Sequence, residues 1–188
     1  MSHFRTLSLS DPRFTPEGLH HLTVKSRHLG SRADISLFVP QTDPLQQAPL
    51  PLVILLHGVY SSHWSWAFKG GAHLTAQRLI QSGRISPMVL AMPSDGLWGD
   101  GSGYVPHARQ DFQSWIVEEV PLAVQELVER VTPDSPRFLA GLSMGGWGTL
   151  LLGAKFPQLW QGLSAHSAIT QWNEMRFFVE EDIADFAP

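Results

Sequence analysis

No cysteine occurs anywhere in the chain. Disulfides, thiolate zinc sites and a cysteine nucleophile are therefore excluded, and the composition fits a reducing compartment. Positive charge is also scarce: 13 Lys and Arg against 17 Asp and Glu leave a formal net charge of −4. Nucleic acids and anionic membranes call for a basic face, so neither is an expected partner. Long apolar runs are missing too. Nothing approaches the roughly 20 apolar residues of a membrane span, and Met1–Ser10 lacks the continuous apolar core of a signal peptide. A cytoplasmic protein is the expectation. What is present is globular in character: 188 residues, 43% of them hydrophobic, suffice for one domain with its own core.

The order of apolar segments points to an α/β fold. Leu22–Ser26 and Ala33–Val39 read as strands around Leu29-Gly30-Ser31, an antiparallel hairpin spanning about residues 20–40. Pro40–Pro51 is rich in proline and reads as a surface loop. Leu52–Leu56, Met88–Met92 and Arg137–Ala140 are short apolar runs of the kind buried on both faces of a parallel sheet, and Gly162–His166 is a weaker one. Helical patterns fill the gaps. Ala72–Ser82 stops at Gly83, a stripe runs through Phe112, Trp115, Ile116 and Val120 to Leu127, Val128 and Val131, and Met144–Phe156 closes at Pro157. Pro121 is expected to kink or divide the second of these helices. Strands alternating with helices imply a mostly parallel central sheet.

Gly141-Leu142-Ser143-Met144-Gly145 matches G-x-S-x-G between an apolar strand and a helix. In the α/β-hydrolase fold this is the turn that lifts a serine to the apex of a strained strand-to-helix corner. Side chains at the two flanking glycines would collide with neighbouring backbone, and the free N–H groups of the helix start favour developing negative charge. Ser143 is thus the candidate nucleophile, with 141–145 as the nucleophile elbow. Leu55-Leu56-His57-Gly58-Val59-Tyr60 ends the first buried run, where such hydrolases place an oxyanion-hole donor. The expected pair of donors is the amides of Val59 and Met144, with Gly58 permitting close approach. His57 is read as orienting this loop, because the general base in this fold follows the serine in the chain. Tyr60 and Trp64 are the expected substrate-pocket residues. Trp66, Trp98 and Trp147 are read either as further pocket walls or as core, and Asp95, Asp100 and Asp111 as loop or helix-cap residues.

With these residues in place, the chain resembles the putative esterase family of α/β-hydrolases, which includes S-formylglutathione hydrolases (esterase D), feruloyl esterases, enterochelin esterases and the antigen 85 mycolyltransferases. The segments that carry the resemblance are Leu37-Phe38-Val39-Pro40, Leu55–Gly58, Ala91–Gly96, Trp115–Pro121 and Gly141–Gly146, and it extends from about Leu19 to His166. It implies an esterase or acyltransferase with a serine nucleophile, a histidine base, an acidic partner, a small-molecule ester substrate, and no metal or other cofactor.

The base and acid are where the chain departs from that pattern. Serine needs a base to take its proton, and the base needs a carboxylate to orient it. Only 45 residues follow Ser143, their sole histidine is His166, and Glu174, Glu180, Glu181, Asp182 and Asp185 all come after it. The required order of serine, acid, histidine is not met. His166 is read as structural or pocket-lining, and Asp182 and Asp185 as solvated charges. The whole of 1–188 is therefore read as a single α/β-hydrolase domain that is C-terminally incomplete. Leu163–His166 is expected near an unpaired sheet edge, open to self-association or to a complementing C-terminal segment. A serine carboxylic ester hydrolase is the leading expectation. A non-catalytic fragment that binds or assembles, and an acyltransferase, are the alternatives.

Overall fold

The protein is described from a computed structural model covering residues 2–16, 18–42 and 48–183. Asp185 and the middle of the proline-rich loop, residues 43–47, lie outside the described residues. Seven strands form one sheet: β1 (Leu7–Leu9), β2 (Leu19–Lys25), β3 (Arg32–Phe38), β4 (Leu52–Leu56), β5 (Val89–Pro93), β6 (Arg137–Leu142) and β7 (Gly162–His166). Their order across the sheet is β1-β2-β3-β5-β4-β6-β7. β1, β2 and β3 pair antiparallel, and β3 joins β5 antiparallel. The remaining pairs, β4 with β5, β4 with β6 and β6 with β7, are parallel. The architecture is the mostly parallel α/β sheet expected from the alternation of elements.

The apolar runs of β4 and β5 became strands at the centre of the sheet, buried along most of both faces. Leu52, Ile54 and Leu56 point into a core shared with Val89, Ala91 and Leu139. Helix α4 (Met144–Lys155) and the long helical segment from Phe112 to Leu127 cover that face. Leu55, Leu90 and Met92 face the opposite side with Phe38, covered by α1 (Ala72–Gln81) and the preceding turn Ser65–Lys69. Beyond α1 this second face stays open, and an apolar groove of ≈440 Å³ runs along it between Val53, Met88, Phe138, Ala140 and Leu163. β7 is an edge strand with most of its residues exposed.

The structure departs from the sequence reading in four places. β1 pairs Leu7 with Val24 inside a segment that alternation alone did not mark as a strand. The 112–127 segment is not uniformly α-helical. It starts as α2 (Phe112–Ser114), capped by Asp111 Oδ1 on the Ser114 amide at 2.9 Å, widens to a π-turn over Trp115–Glu119, and resumes as α3 (Val120–Leu127). The division falls directly before Pro121, where the proline interrupts the regular ladder of a continuous helical segment and the π-turn accommodates it. The helix also stops at Leu127; Val128 is extended, and Val131 reaches the core from a loop. A 3₁₀ turn, Trp172–Phe177, lies in a stretch to which the sequence reading assigned no element. No described helix is long and apolar enough to cross a membrane.

One buried acid locks the antiparallel hairpin to the parallel part of the sheet. Glu119 is fully buried and accepts from the Ser26 hydroxyl and from the Arg27 amide at 2.9 Å. Ser26 Oγ in turn accepts from the Leu29 amide at 3.0 Å. Glu119→Ala strands these donors in the interior, and is expected to cost about 2–4 kcal/mol of unfolding free energy in urea titrations. A cost below about 0.5 kcal/mol would show that the clamp does not hold the hairpin.

Candidate active site

Strand order places the site before any side chain is considered. From β4 the chain crosses to β5 on one side and then returns to β6 on the other, so the carboxyl ends of β4 and β6 flank the crevice where the winding reverses. His57 and Gly58 leave β4 there, and Ser143 leaves β6. Ser143 adopts φ 57°, ψ −116°, a sparsely populated conformation for a residue with a side chain. The turn is held by the Ser143 amide donating to the His166 carbonyl at 2.9 Å. The two flanking glycines are steric necessities. A Cβ on Gly145 would sit 2.6 Å from the His57 carbonyl oxygen and overlap that of Leu56, and one on Gly141 would overlap the Gly145 carbonyl. Gly58 packs directly on the serine, its missing Cβ position 3.3 Å from Ser143 Cβ.

The loop after β4 is pinned from beneath. His57 is 2% exposed. Its Nδ1 donates to the Gly58 carbonyl at 2.7 Å, and its Nε2 faces the Asp95 amide at 3.2 Å and Asp95 Oδ1 at 3.5 Å. The Gly58 carbonyl therefore points toward the imidazole, and across the trans peptide the Val59 N–H points the other way. The His57 carbonyl accepts from the buried Tyr104 hydroxyl at 3.0 Å. Burial, then the nearby Asp95 charge, raises the Tyr104 pKa well above its ordinary value and keeps the group a donor. Asp95 also accepts from the Ser102 amide at 2.8 Å. Burial alone would raise the Asp95 carboxyl; the hydrogen bond and charge of His57, with the Ser102 donors, outweigh it and hold the group below its ordinary value. Asp95 is thus a buried anchor rather than a simple loop residue. Asp100 ties the C-terminal strap, accepting from the Glu180 amide at 2.8 Å while its own amide donates to Glu181 Oε1 at 3.0 Å.

Ser143 Oγ makes no hydrogen bond among the described residues. Neither does the amide of Val59 or of Met144, the first residue of α4. A cavity of ≈370 Å³ opens in front of the serine. Its walls are Ser167, Ala168 and Ile169 after β7, and Glu174, Phe177 and Phe178 of the terminal strap. Of the two expected pocket residues, Tyr60 reaches it only indirectly, its hydroxyl donating to the Phe178 carbonyl. Trp64 does not line it; its ring lies under the Lys69 ammonium at 4.9 Å. Trp66 donates to the Leu56 carbonyl at 3.0 Å, Trp98 stacks on His107, and Trp147 packs on Trp172. The strap was missed because 3₁₀ turns carry no strong periodicity; the adjacent Phe177 and Phe178 were its one sequence signal. The ring of His166 bonds to Ser164 Oγ at 3.0 Å on the exposed edge of β7. With both His57 nitrogens engaged in the loop, neither imidazole is bonded to the Ser143 hydroxyl among the described residues.

Comparison with known proteins gives the family and the fold. The family model described as Putative esterase matches residues 26–184. An endo-1,4-beta-xylanase/feruloyl esterase of Xylanibacter ruminicola is 28% identical over 116 residues, covering 61% of this chain and 16% of that protein. A ferulic acid esterase superposes with TM-score 0.70 at 21% identity, over 88% of this chain and 59% of its own. An S-formylglutathione hydrolase from Agrobacterium tumefaciens gives TM-score 0.70 at 20% identity, over 98% and 71%. The two structures share the fold, which is that of α/β-hydrolases. The chain thus spans 16% of the curated relative and 59% of the ferulic acid esterase, less than two thirds of each.

Two outcomes follow from the packing and charge of the site. Gly145→Ala forces α4 away from the carbonyl end of β4 and is expected to cost about 2–4 kcal/mol, measured by urea unfolding; a neutral result would mean that the close approach is not needed. The folded pKa of Asp95 lies below its unfolded value of about 3.9. Its contribution to stability is therefore complete above that pH and is lost as pH falls toward the lower native pKa. Unfolding free energy followed between about pH 5 and 2 should fall more steeply for the wild type than for Asp95→Asn, and equal slopes would remove the anchor role.

Proposed function

The chain belongs to the Putative esterase family, and from that premise we propose that it is a serine carboxylic ester hydrolase working through an acyl-Ser143 intermediate. One observation carries the reading: a strained, unbonded serine hydroxyl lines a cavity, with two unbonded amides next to it in the structure or the chain, that of Met144, which follows Ser143, and that of Val59, which follows Gly58, packed 3.3 Å from Ser143 Cβ. Attack by Ser143 Oγ on an ester carbonyl puts negative charge on the carbonyl oxygen. The two amides serve as its donors, each worth about 2.7–4 kcal/mol in the transition state. Collapse of that intermediate expels the alcohol, and water then releases the acid.

A base must take the serine proton and a carboxylate must orient that base, and among the described residues neither the His57 nor the His166 ring is bonded to the serine hydroxyl. His57 is committed to the loop and His166 to Ser164. The substrate is a small-molecule ester whose acyl group is apolar or aromatic. Phe177 is 71% exposed beside the cavity, and the ferulic acid esterase and the xylanase/feruloyl esterase carry an aromatic acid in their names. The absence of a free imidazole at Ser143 also favours a second reading, a fragment that binds without turnover.

Chemical rescue separates the two. Adding imidazole to the folded chain should speed release of p-nitrophenol from an aromatic p-nitrophenyl ester about 10–100-fold over the same imidazole in buffer. The gain should vanish in Ser143→Ala, with the acyl or fluorophosphonate adduct mapped to Ser143 by mass spectrometry. An equal rate in Ser143→Ala, or no adduct at Ser143 in a folded sample, would leave the non-catalytic reading.

A further inference from the structure

Beside the crevice, on the hairpin side, three side chains converge that neither the site nor the fold uses. His21 on β2 and Asp34 on β3 lie diagonally on one face of the hairpin, where His21 opposes Ser36 and Thr23 opposes Asp34. His63, from the loop that follows β4, folds over that face. One donor atom from each of His21, Asp34 and His63 lies within 4.8 Å of the other two. His21 Nε2 stands 3.7 Å from Asp34 Oδ1, too far for a hydrogen bond, and the two imidazoles meet edge to face at 4.7 Å.

The surroundings aim these atoms inward. Ser36 Oγ lies 2.9 Å from His63 Nδ1, which leaves Nε2 as the outward nitrogen. Thr23 Oγ1 donates to Asp34 Oδ1 at 2.5 Å. The Ser36 hydroxyl holds the His63 imidazole from one side, the usual device for orienting a ligand, while Thr23 bonds the same Asp34 oxygen that faces His21 and fixes that carboxylate in place. Two imidazoles and one carboxylate, with Asp34 and His63 half-buried and His21 exposed to solvent, form a mixed nitrogen–oxygen set that suits zinc and neighbouring transition cations better than calcium or magnesium. Metal–donor bonds of about 2.0–2.2 Å put tetrahedral donors about 3.3 Å apart. Binding therefore requires the three donors, now within 4.8 Å of one another, to draw closer.

We propose that His21, Asp34 and His63 form a site for a divalent transition cation of the zinc class, clamping the loop Gly58–Trp64 onto the β2–β3 hairpin. Because this loop carries Val59, the cation would hold one wall of the crevice in place. The site stands apart from the esterase reading, and its test needs no ester turnover.

The measurement is equilibrium dialysis of the 188-residue chain against Zn²⁺, with Ca²⁺ as control and Co²⁺ as a spectroscopic probe. One equivalent of Zn²⁺ should bind, Ca²⁺ should not, and Co²⁺ should give the visible bands of a nitrogen-ligated site. Zinc at a hundredfold excess over its dissociation constant should raise Tm by about 5–10 °C. His63→Gln and Asp34→Asn should each weaken binding about tenfold or more, and Ser36→Ala, which keeps every ligand, should weaken it less. Unchanged Zn²⁺ affinity in folded His63→Gln would assign the metal to other histidines and overturn the proposal. So would an absence of Zn²⁺ binding by the wild-type chain.

Discussion

The approach of α4 to the carboxyl end of β4 is the constraint on which the rest depends. Gly145 lies against the carbonyls of Leu56 and His57 with no room for a side chain. That contact brings the first turn of one helix to the end of a strand that is far away in sequence. It sets Ser143 beside Gly58, and it puts the Met144 amide in the crevice that also receives the loop after β4. A methyl group at this point would separate the two halves of the site without altering any reactive group.

The loop after β4 is held by an equally specific set of contacts. The Gly58 carbonyl is fixed by His57, His57 by Asp95, and the His57 carbonyl by Tyr104. These groups are buried, where an unmade hydrogen bond costs far more than it does at the surface. The consequence is a peptide plane with little freedom, which is what preorganised donors require. The price is paid in histidine: a residue that could have served as a base is consumed in positioning. The C-terminal strap, tied down by Tyr60 and Asp100, closes the other side of the cavity with Phe177 and Phe178.

The two faces of the sheet are treated differently. One is sealed by α4 and the 112–127 segment around the fully buried Trp115, whose indole N–H donates to the Ser94 carbonyl at 2.8 Å. The other carries α1 alone, and its apolar groove continues to the exposed edge of β7. The chain covers 59% of the ferulic acid esterase's length, and its own crevice and elbow are built from the central strands β4 and β6 rather than from the sheet margin.

The sequence by itself determined the buried strands, since runs such as Leu52–Leu56 are stable only between two apolar layers. It also determined the elbow, since Gly141 and Gly145 answer local steric demands. It placed the stop of α1 at Gly83, whose φ of 68° suits glycine. Short or irregularly wound elements were not legible: β1 has three residues, the π-turn at Trp115–Glu119 keeps an ordinary apolar stripe, and the Trp172–Phe177 turn has no period to read. Nor did aromatic content near the elbow reveal the pocket, because Trp64 and Trp66 turned to partners of their own. Only the tertiary structure decided which amides stay unbonded, which histidines are consumed, and which residues meet across the hairpin. Those outcomes depend on contacts between segments distant in the chain, and no local pattern of residue types encodes them.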